Sequence, residues 1–263
     1  MTIDPYASIA EWYDLEHDRL SDDIECYTSL ISQRFGTRAQ VLEIGSGTGR
    51  TAAALAIAGY SVTGAEPSAS MRARCAERLG QLPQTVARRV AVHEGSASAP
   101  NIPADRQFDI VLLGLNVIAH LTSHEARRHA LQLAARHLTP HGVLLLDLDI
   151  QGMQRLRSMP GQMLWQGTWQ RTSSDEMVTH LVVAAPGPDP HVFEVVHFYD
   201  VHAPGGNLRR WIARMDLAQL SKGEVSLLLE MTGFSVEAVY GTHALDDYDE
   251  HSPRAIFVAR LNP

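Results

Sequence analysis

Between residues 40 and 150 the chain repeats one theme: a short, mostly apolar strand-like run, a turn, then apolar residues at helical spacing. The runs are 41–44, 61–65, 90–93, 108–114 and 143–148. Apolar runs without alternation are strands buried on both faces, and crossover helices on either side of a parallel sheet bury them that way. This predicts an α/β fold with a doubly wound, mostly parallel sheet.

The flanking segments read differently. Ile24, Tyr27, Ile31 and Phe35 recur at helical spacing up to Gly36, which predicts a helical flap. Thr122-Ser-His-Glu125 reads as a capping box, with Pro140-His-Gly142 ending the helix it opens, and Ser221-Lys-Gly-Glu224 repeats the device before an apolar run that stops at Gly233. From about 163 to 215 Val, Thr, Phe, Tyr and Trp alternate with other residues, broken by turn clusters at 186–190 and 203–206, so an antiparallel β lobe is inserted in the core. Segments 234–240 and 255–261 supply two more strands, giving a seven-stranded sheet. Three parts are expected: 1–150 as flap and main sheet, 151–220 as inserted lobe, and 221–263 as closing helix and hairpin.

Charge and composition narrow the chemistry. Of the 22 basic residues only Lys222 is a lysine, so Schiff-base and phosphate-loop lysine chemistry has a single candidate. The net charge of −8 disfavours a protein that tracks a phosphate backbone, and no nucleic-acid partner is expected. Cys26 and Cys75 lie far apart and fit neither a metal pair nor a redox CxxC. The opening MTIDPYASIAEWYD carries acids where a secretory leader carries positive charge, and no stretch reaches membrane-span length, so a cytoplasmic protein with no membrane partner is expected.

The informative stretch is Val41-Leu-Glu-Ile-Gly-Ser-Gly-Thr-Gly-Arg50, where the first strand turns into a helix. Glycines 45, 47 and 49 let the backbone turn tightly and approach a ligand closely. At the end of the second strand Glu66 is placed to accept hydrogen bonds from the two hydroxyls of a ribose. A phosphate loop requires GxxxxGK, and a dinucleotide turn GxGxxG; this chain has GxGxG and no nearby lysine. An adenosine-type cofactor remains.

On these residues the chain resembles the class I S-adenosylmethionine-dependent methyltransferases. The resemblance runs through Tyr13-Asp14, Glu43-Ile-Gly-Ser-Gly-Thr-Gly49, Val62-Thr-Gly-Ala-Glu-Pro67 with Met71, Glu94-Gly95, Phe108-Asp109 leading to Asn116 and His120, Leu138-Thr-Pro-His-Gly142, Gly233-Phe234 and Ser252-Pro-Arg254. The inserted sheet and the Asn116–His120 segment are similar to the small-molecule branch, the glycine, sarcosine and amino-sugar N-methyltransferases. The resemblance implies a Rossmann-like fold and S-adenosylmethionine as cofactor. It implies that Gly45, Ser46 and Gly47, with Glu43 and Gly49 in the same motif, hold the methionine part, that Glu66 and Pro67 mark the ribose end, and that Met71 packs on adenine. Ser96 and Ala97 stand where relatives carry an Asp for the adenine amine, Leu115 and Asn116 lie beside the ammonium and sulfonium, and Tyr13 closes over the cofactor.

Methyl transfer from a sulfonium is an in-line displacement by a lone pair, so positioning and exclusion of water carry most of the catalysis. A base is needed only where the acceptor arrives protonated, and His120 is the candidate. His120 and His124 are four apart but have no third ligand, so no metal is expected. Trp165, Trp169, Phe198 and Trp211 are expected mostly in the lobe's own core. The expected acceptor is a small molecule, methylated on nitrogen or oxygen by a monomer or homodimer. A peptide, protein or RNA methyltransferase, a protein that binds the cofactor without transfer, and a nicotinamide oxidoreductase remain as alternatives.

Overall fold

The computed structural model describes residues 4–171, 174–187 and 189–262. Five strands run parallel: β1 (Gln40–Ile44), β2 (Ser61–Glu66), β3 (Val90–Glu94), β4 (Phe108–Leu113) and β5 (Leu138–Asp149). Before them come α1 (Ala10–His17) and α2 (Asp22–Phe35), and between them α3 (Arg50–Ile57), α4 (Ala69–Gly80), the short α5 (Gln84–Ala87), a 3-10 turn at Val117–His120 and α6 (His124–His137). α7 (Ile150–Ser158) leads to β6 (Met163–Gln170), β7 (Met177–Pro186), β8 (Val192–His202) and β9 (Leu208–Ala218), and α8 (Lys222–Met231), β10 (Phe234–Tyr240) and β11 (Arg254–Leu261) close the chain. The seven-stranded sheet has the order β10-β11-β5-β4-β1-β2-β3, with β11 antiparallel to both neighbours. This is the Rossmann-like, mostly parallel sheet expected from the sequence.

The unbroken apolar runs have a direct cause. Leu42, Ile44, Val111, Leu113, Leu144 and Leu146 point into one core, while Val41, Ile110, Leu112 and Leu145 point into the other, so each strand feeds two layers from alternate residues. Burying each such side chain is worth about 1.5–3 kcal/mol. The chain crosses from β1 to both β2 and β4, and the crevice at their carboxyl ends is where doubly wound sheets bind ligands.

The lobe is a four-stranded antiparallel sheet, β6-β7-β8-β9. Its inner face gives Val178, Tyr199, Val201, Ala213 and Met215 to a third core that Ile9 and Trp12 complete from the N-terminal side, so α1 is held between lobe and main sheet. Across its outer face Trp165, Leu181, Phe198 and Ile212 stand in register. The expectation of a mostly core role for the lobe aromatics is corrected for Trp165, 65 % exposed, and for Phe198, whose ring lies under Arg210; Trp211 packs inward on Trp12 at 5.0 Å.

Two boundary expectations are also corrected. Ser123, not Thr122, caps α6 by accepting from the Ala126 amide at 3.1 Å, which leaves Glu125 one residue short of the position a capping box needs. Pro140-His-Gly142 does not end the helix: α6 stops at His137 and β5 begins at Leu138. A bulge between Phe108 and Ile110 absorbs the proline, which has no amide to donate, and Gly142 sits against the Phe108 carbonyl, where a Cβ would come to 3.0 Å. The capping box at Ser221 is present, with Ser221 Oγ and Glu224 each satisfying the other's amide.

Candidate active site

The turn from β1 into α3 uses its glycines for different purposes. All three have left-handed φ: +73° at Gly45, +54° at Gly47 and +73° at Gly49. A Cβ on Gly45 would come to 2.6 Å from Val117, and one on Gly49 would strike Cys75 Sγ of α4. Those two glycines let the protein close on itself. A Cβ on Gly47 would meet nothing within 4 Å, because that residue borders open space.

Glu66, at the end of β2, accepts from the Gly47 amide at 2.9 Å and the Ser68 amide at 2.8 Å. Burial pushes its pKa up against the pull of those two amides. Ser68 Oγ caps α4 by accepting from the Met71 amide at 3.1 Å and donates to Asp4 at 2.7 Å, tying the N-terminal segment to this corner. Two polar atoms beside the turn, Glu43 Oε2 and Ser46 Oγ, are buried without a hydrogen-bond partner in the protein. Burial drives the Glu43 carboxyl up to about 8, although Arg50 pulls the other way; Arg50 itself forms a bidentate pair with buried Asp23. An orphaned polar atom this deep is costly unless a ligand satisfies it.

These groups border a cavity of about 880 Å3. Glu43, Gly45, Ser46 and Gly47 of the glycine turn, Glu66, Pro67 and Met71 after β2, Ser96, Ala97 and Leu115, and Tyr13 and His120 all line it. Two expected residues do not line it. Gly49 packs on Cys75 instead, and Asn116 turns its side chain to the protein, where Oδ1 accepts from the Asp149 amide at 2.6 Å while its own amide donates to the Asp147 carbonyl at 3.0 Å. Ser96 Oγ accepts from the Ala99 amide at 3.1 Å.

The cavity also holds residues that sequence reasoning passed over: Asp4, Tyr6, Arg214 and Asp216. The Tyr6 hydroxyl lies 3.3 Å from His120 Nε2, and Tyr6 meets Tyr13 edge-on at 6.2 Å. The ring of His120 is open to the cavity, but the surrounding walls lower its pKa to about 4, so it is a neutral imidazole at pH 7. α1 is latched over the turn: Asp14 accepts from Thr48 Oγ1 at 2.6 Å and pairs with Arg78 at 2.9 Å and Arg74 at 3.3 Å. Of this roof, Tyr13 and Asp14 were expected from the motif they share, whereas Tyr6 was not.

Residues 42–144, the segment that contains this turn and Glu66, match the methyltransferase domain family. The segment is a methyltransferase domain. A putative methyltransferase of Geobacillus sp. (strain WCH70) is 22% identical over 258 residues, covering 97% of this chain and 99% of that one. Among solved structures, the CcbJ methyltransferase from Streptomyces caelestis superposes with a TM-score of 0.79 at 20% identity, over 99% of this chain and 100% of that one. The sugar N-methyltransferase KedS8 from Streptoalloteichus sp ATCC 53650 gives a TM-score of 0.73 at 19% identity, over 97% and 93% of the two chains. At these identities the structures establish a shared fold. Among the described residues, no helix is long and apolar enough to cross a membrane.

Proposed function

We propose that the chain methylates a nitrogen of a small, polar, amine-bearing acceptor of the amino-sugar kind. The observation that carries this reading is a cavity in which the cofactor corner and a neutral imidazole face the same space, His120 standing beyond the glycine turn with Tyr6 against it. A volume of about 880 Å3 lies in the range of roughly 300–1,000 Å3 that holds small molecules. Arg214 and Asp216 on β9 give that space polar walls, and the fold likeness to a sugar N-methyltransferase supports the acceptor class.

The residues present fit S-adenosylmethionine. Glu43 and Ser46 offer their unpartnered oxygens for the ammonium of its amino-acid part, Gly47 leaves the space it needs, Glu66 faces the ribose and Met71 supports adenine. When bound, the cofactor supplies an electrophilic methyl on a sulfonium. The chain's own part is to orient the acceptor nitrogen in line with that methyl, keep water out under Tyr6 and Tyr13, and take the acceptor's proton at His120. The ring of His120 is neutral at pH 7 and so keeps one nitrogen unprotonated, while the burial that lowers its pKa to about 4 makes it a weak base.

Incubation with methyl-labelled S-adenosylmethionine and a panel of amino sugars, free and nucleotide-linked, tests this. One methyl per amine, read by mass, is the expected result. Labelling confined to peptide or RNA, or binding of S-adenosylhomocysteine with no labelled acceptor, would overturn it.

A further inference from the structure

Among the described residues β9 pairs with β8 alone, so it is an edge strand of the lobe sheet. Its open edge runs beside the 3-10 turn that carries His120, and Arg214, Met215 and Asp216 line the cavity there. Met215 is buried on the inner face of the lobe, whereas Arg214 turns its side chain to the outer face and pairs with Glu194 at 2.8 Å. Side chains alternate along a strand, so Asp216 points to the outer face as well. What residues 214 and 216 present along the open edge is main chain.

Three bonds fix the direction of those main-chain groups. An antiparallel strand turns the N–H and C=O of alternate residues to its partner and those of the residues between to its other side. At one end of β9 the Ala203 amide donates to the Asn207 carbonyl at 3.0 Å, and at the other the Gln219 amide donates to the His191 carbonyl at 2.8 Å. With the register continuous between them, the odd-numbered residues of β9 face β8. The carbonyl of Ile212, an even-numbered residue, accepts from Ser8 Oγ at 2.9 Å on the opposite side. Arg214 and Asp216 follow Ile212 at a spacing of two, so their N–H and C=O groups also point off the edge. Among the described residues, no hydrogen bond from the protein meets them there.

The open stretch is short. Ser8 occupies the edge at Ile212, and Ala218 is buried at the other end. Two outward residues remain between them, a span of about 7 Å at roughly 3.4 Å per residue. A peptide that adds itself as a strand needs a longer free edge, whereas one sugar ring fits this one. Each outward residue sets a donor beside an acceptor, and a hydroxyl both donates and accepts, so two neighbouring ring hydroxyls satisfy one N–H and one C=O together. We infer that the cavity-facing main chain of Arg214 and Asp216 is the subsite that holds ring hydroxyls of the acceptor, and that it selects a hydroxylated amine over a plain one. The inference rests on the amine-methylation reading above. An amine lacking those hydroxyls leaves the edge groups unpartnered as it displaces water from them, and that penalty rejects it. The ladder to β8 and the bond from Ser8 hold the edge in place before the acceptor arrives.

The test uses the full chain, 15N-labelled and bound to S-adenosylhomocysteine. Before any acceptor is added, the amides of Arg214 and Asp216 should exchange with solvent much faster than those of Ala213 and Met215, which lie in the ladder. Titration with glucosamine and galactosamine, free and nucleotide-linked, should then shift the Arg214 and Asp216 amides and slow their exchange. Slow exchange before the acceptor is added, or unmoved amides at saturation, overturns the proposal. In steady-state assays Asp216→Pro removes one outward N–H and leaves the β8 ladder whole, because an edge strand tolerates proline where its N–H faces away. The KM for the amino sugar should rise on the order of tenfold, with the KM for the cofactor unchanged. Asp216→Ala keeps the N–H and should lose clearly less; equal losses in the two folded variants overturn the proposal. Absence of binding and methylation across the amino sugars is a different outcome, which removes the functional reading itself, while the acceptor-free exchange pattern still decides which way the edge groups point.

Discussion

The Gly47 amide donates a 2.9 Å hydrogen bond to Oε2 of Glu66, joining the glycine turn of β1 to the end of β2. One carboxylate thus shapes the turn and faces the cavity. Glu66→Ala leaves the Gly47 and Ser68 amides without their acceptor, and S-adenosylhomocysteine affinity should fall by about 1–3 kcal/mol by calorimetry. Glu66→Gln keeps one acceptor oxygen and should lose less.

The glycines separate folding from binding. Gly47→Ala has room for its methyl and bears only the left-handed backbone strain, about 1–2 kcal/mol, yet that methyl enters the cofactor space and should abolish binding. Gly45→Ala adds a collision with Val117 and should unfold at a clearly lower temperature. Thermal melts with and without S-adenosylhomocysteine distinguish the two; equal losses of stability would contradict the assignment.

Glu43 gives a pH signature. Its folded pKa of about 8 lies above the ordinary 4.5, so its contribution to stability is complete below 4.5, declines as pH rises, and is gone above about 8. Glu43→Gln should therefore flatten the fall of the melting temperature between pH 5 and 9. Pairing with the cofactor ammonium should ionise Glu43, so binding at pH 7 should release protons, visible as a buffer-dependent enthalpy that the variant lacks.

Asn116 is a clamp on β5. Asn116→Gly keeps the φ of +69° but leaves the Asp149 amide without its partner, and should cost about 1–3 kcal/mol of stability with cofactor affinity nearly unchanged. A large loss of affinity at preserved stability would return Asn116 to the cofactor.

For His120, the expected result of His120→Ala is lower turnover with unchanged S-adenosylhomocysteine affinity. Since its pKa is near 4, this residue should put no inflection in the profile between pH 6 and 9. Unchanged turnover would remove it as a proton acceptor.

The main sheet was legible because strands buried on both faces write themselves as unbroken apolar runs, as at Val41–Leu42 and Leu112–Leu113. The glycine turn and Glu66 were legible because few residue types satisfy left-handed backbone beside a distal acid. Apart from Tyr13, what did not show was anything carried by α1. AEWYDLEH has no apolar stripe, since Trp12 faces the lobe while Asp14 and Glu16 bond across to different elements. Likewise Asn116 and Gly49 matched a motif by position, but their side of the turn faces the protein, and the direction of a side chain is not written in spacing.

That short helix has a consequence for heat inactivation. Trp12, Tyr13, Asp14 and Glu16 sit within five residues and serve, in turn, the lobe core, the cavity roof, the latch to Thr48 and the contact with His180. Eight residues at the edge of a large fold open at a lower free energy than its central strands do. Turnover should then fail several degrees below the global melt, with fast amide exchange confined to α1 while the seven-stranded sheet is still intact.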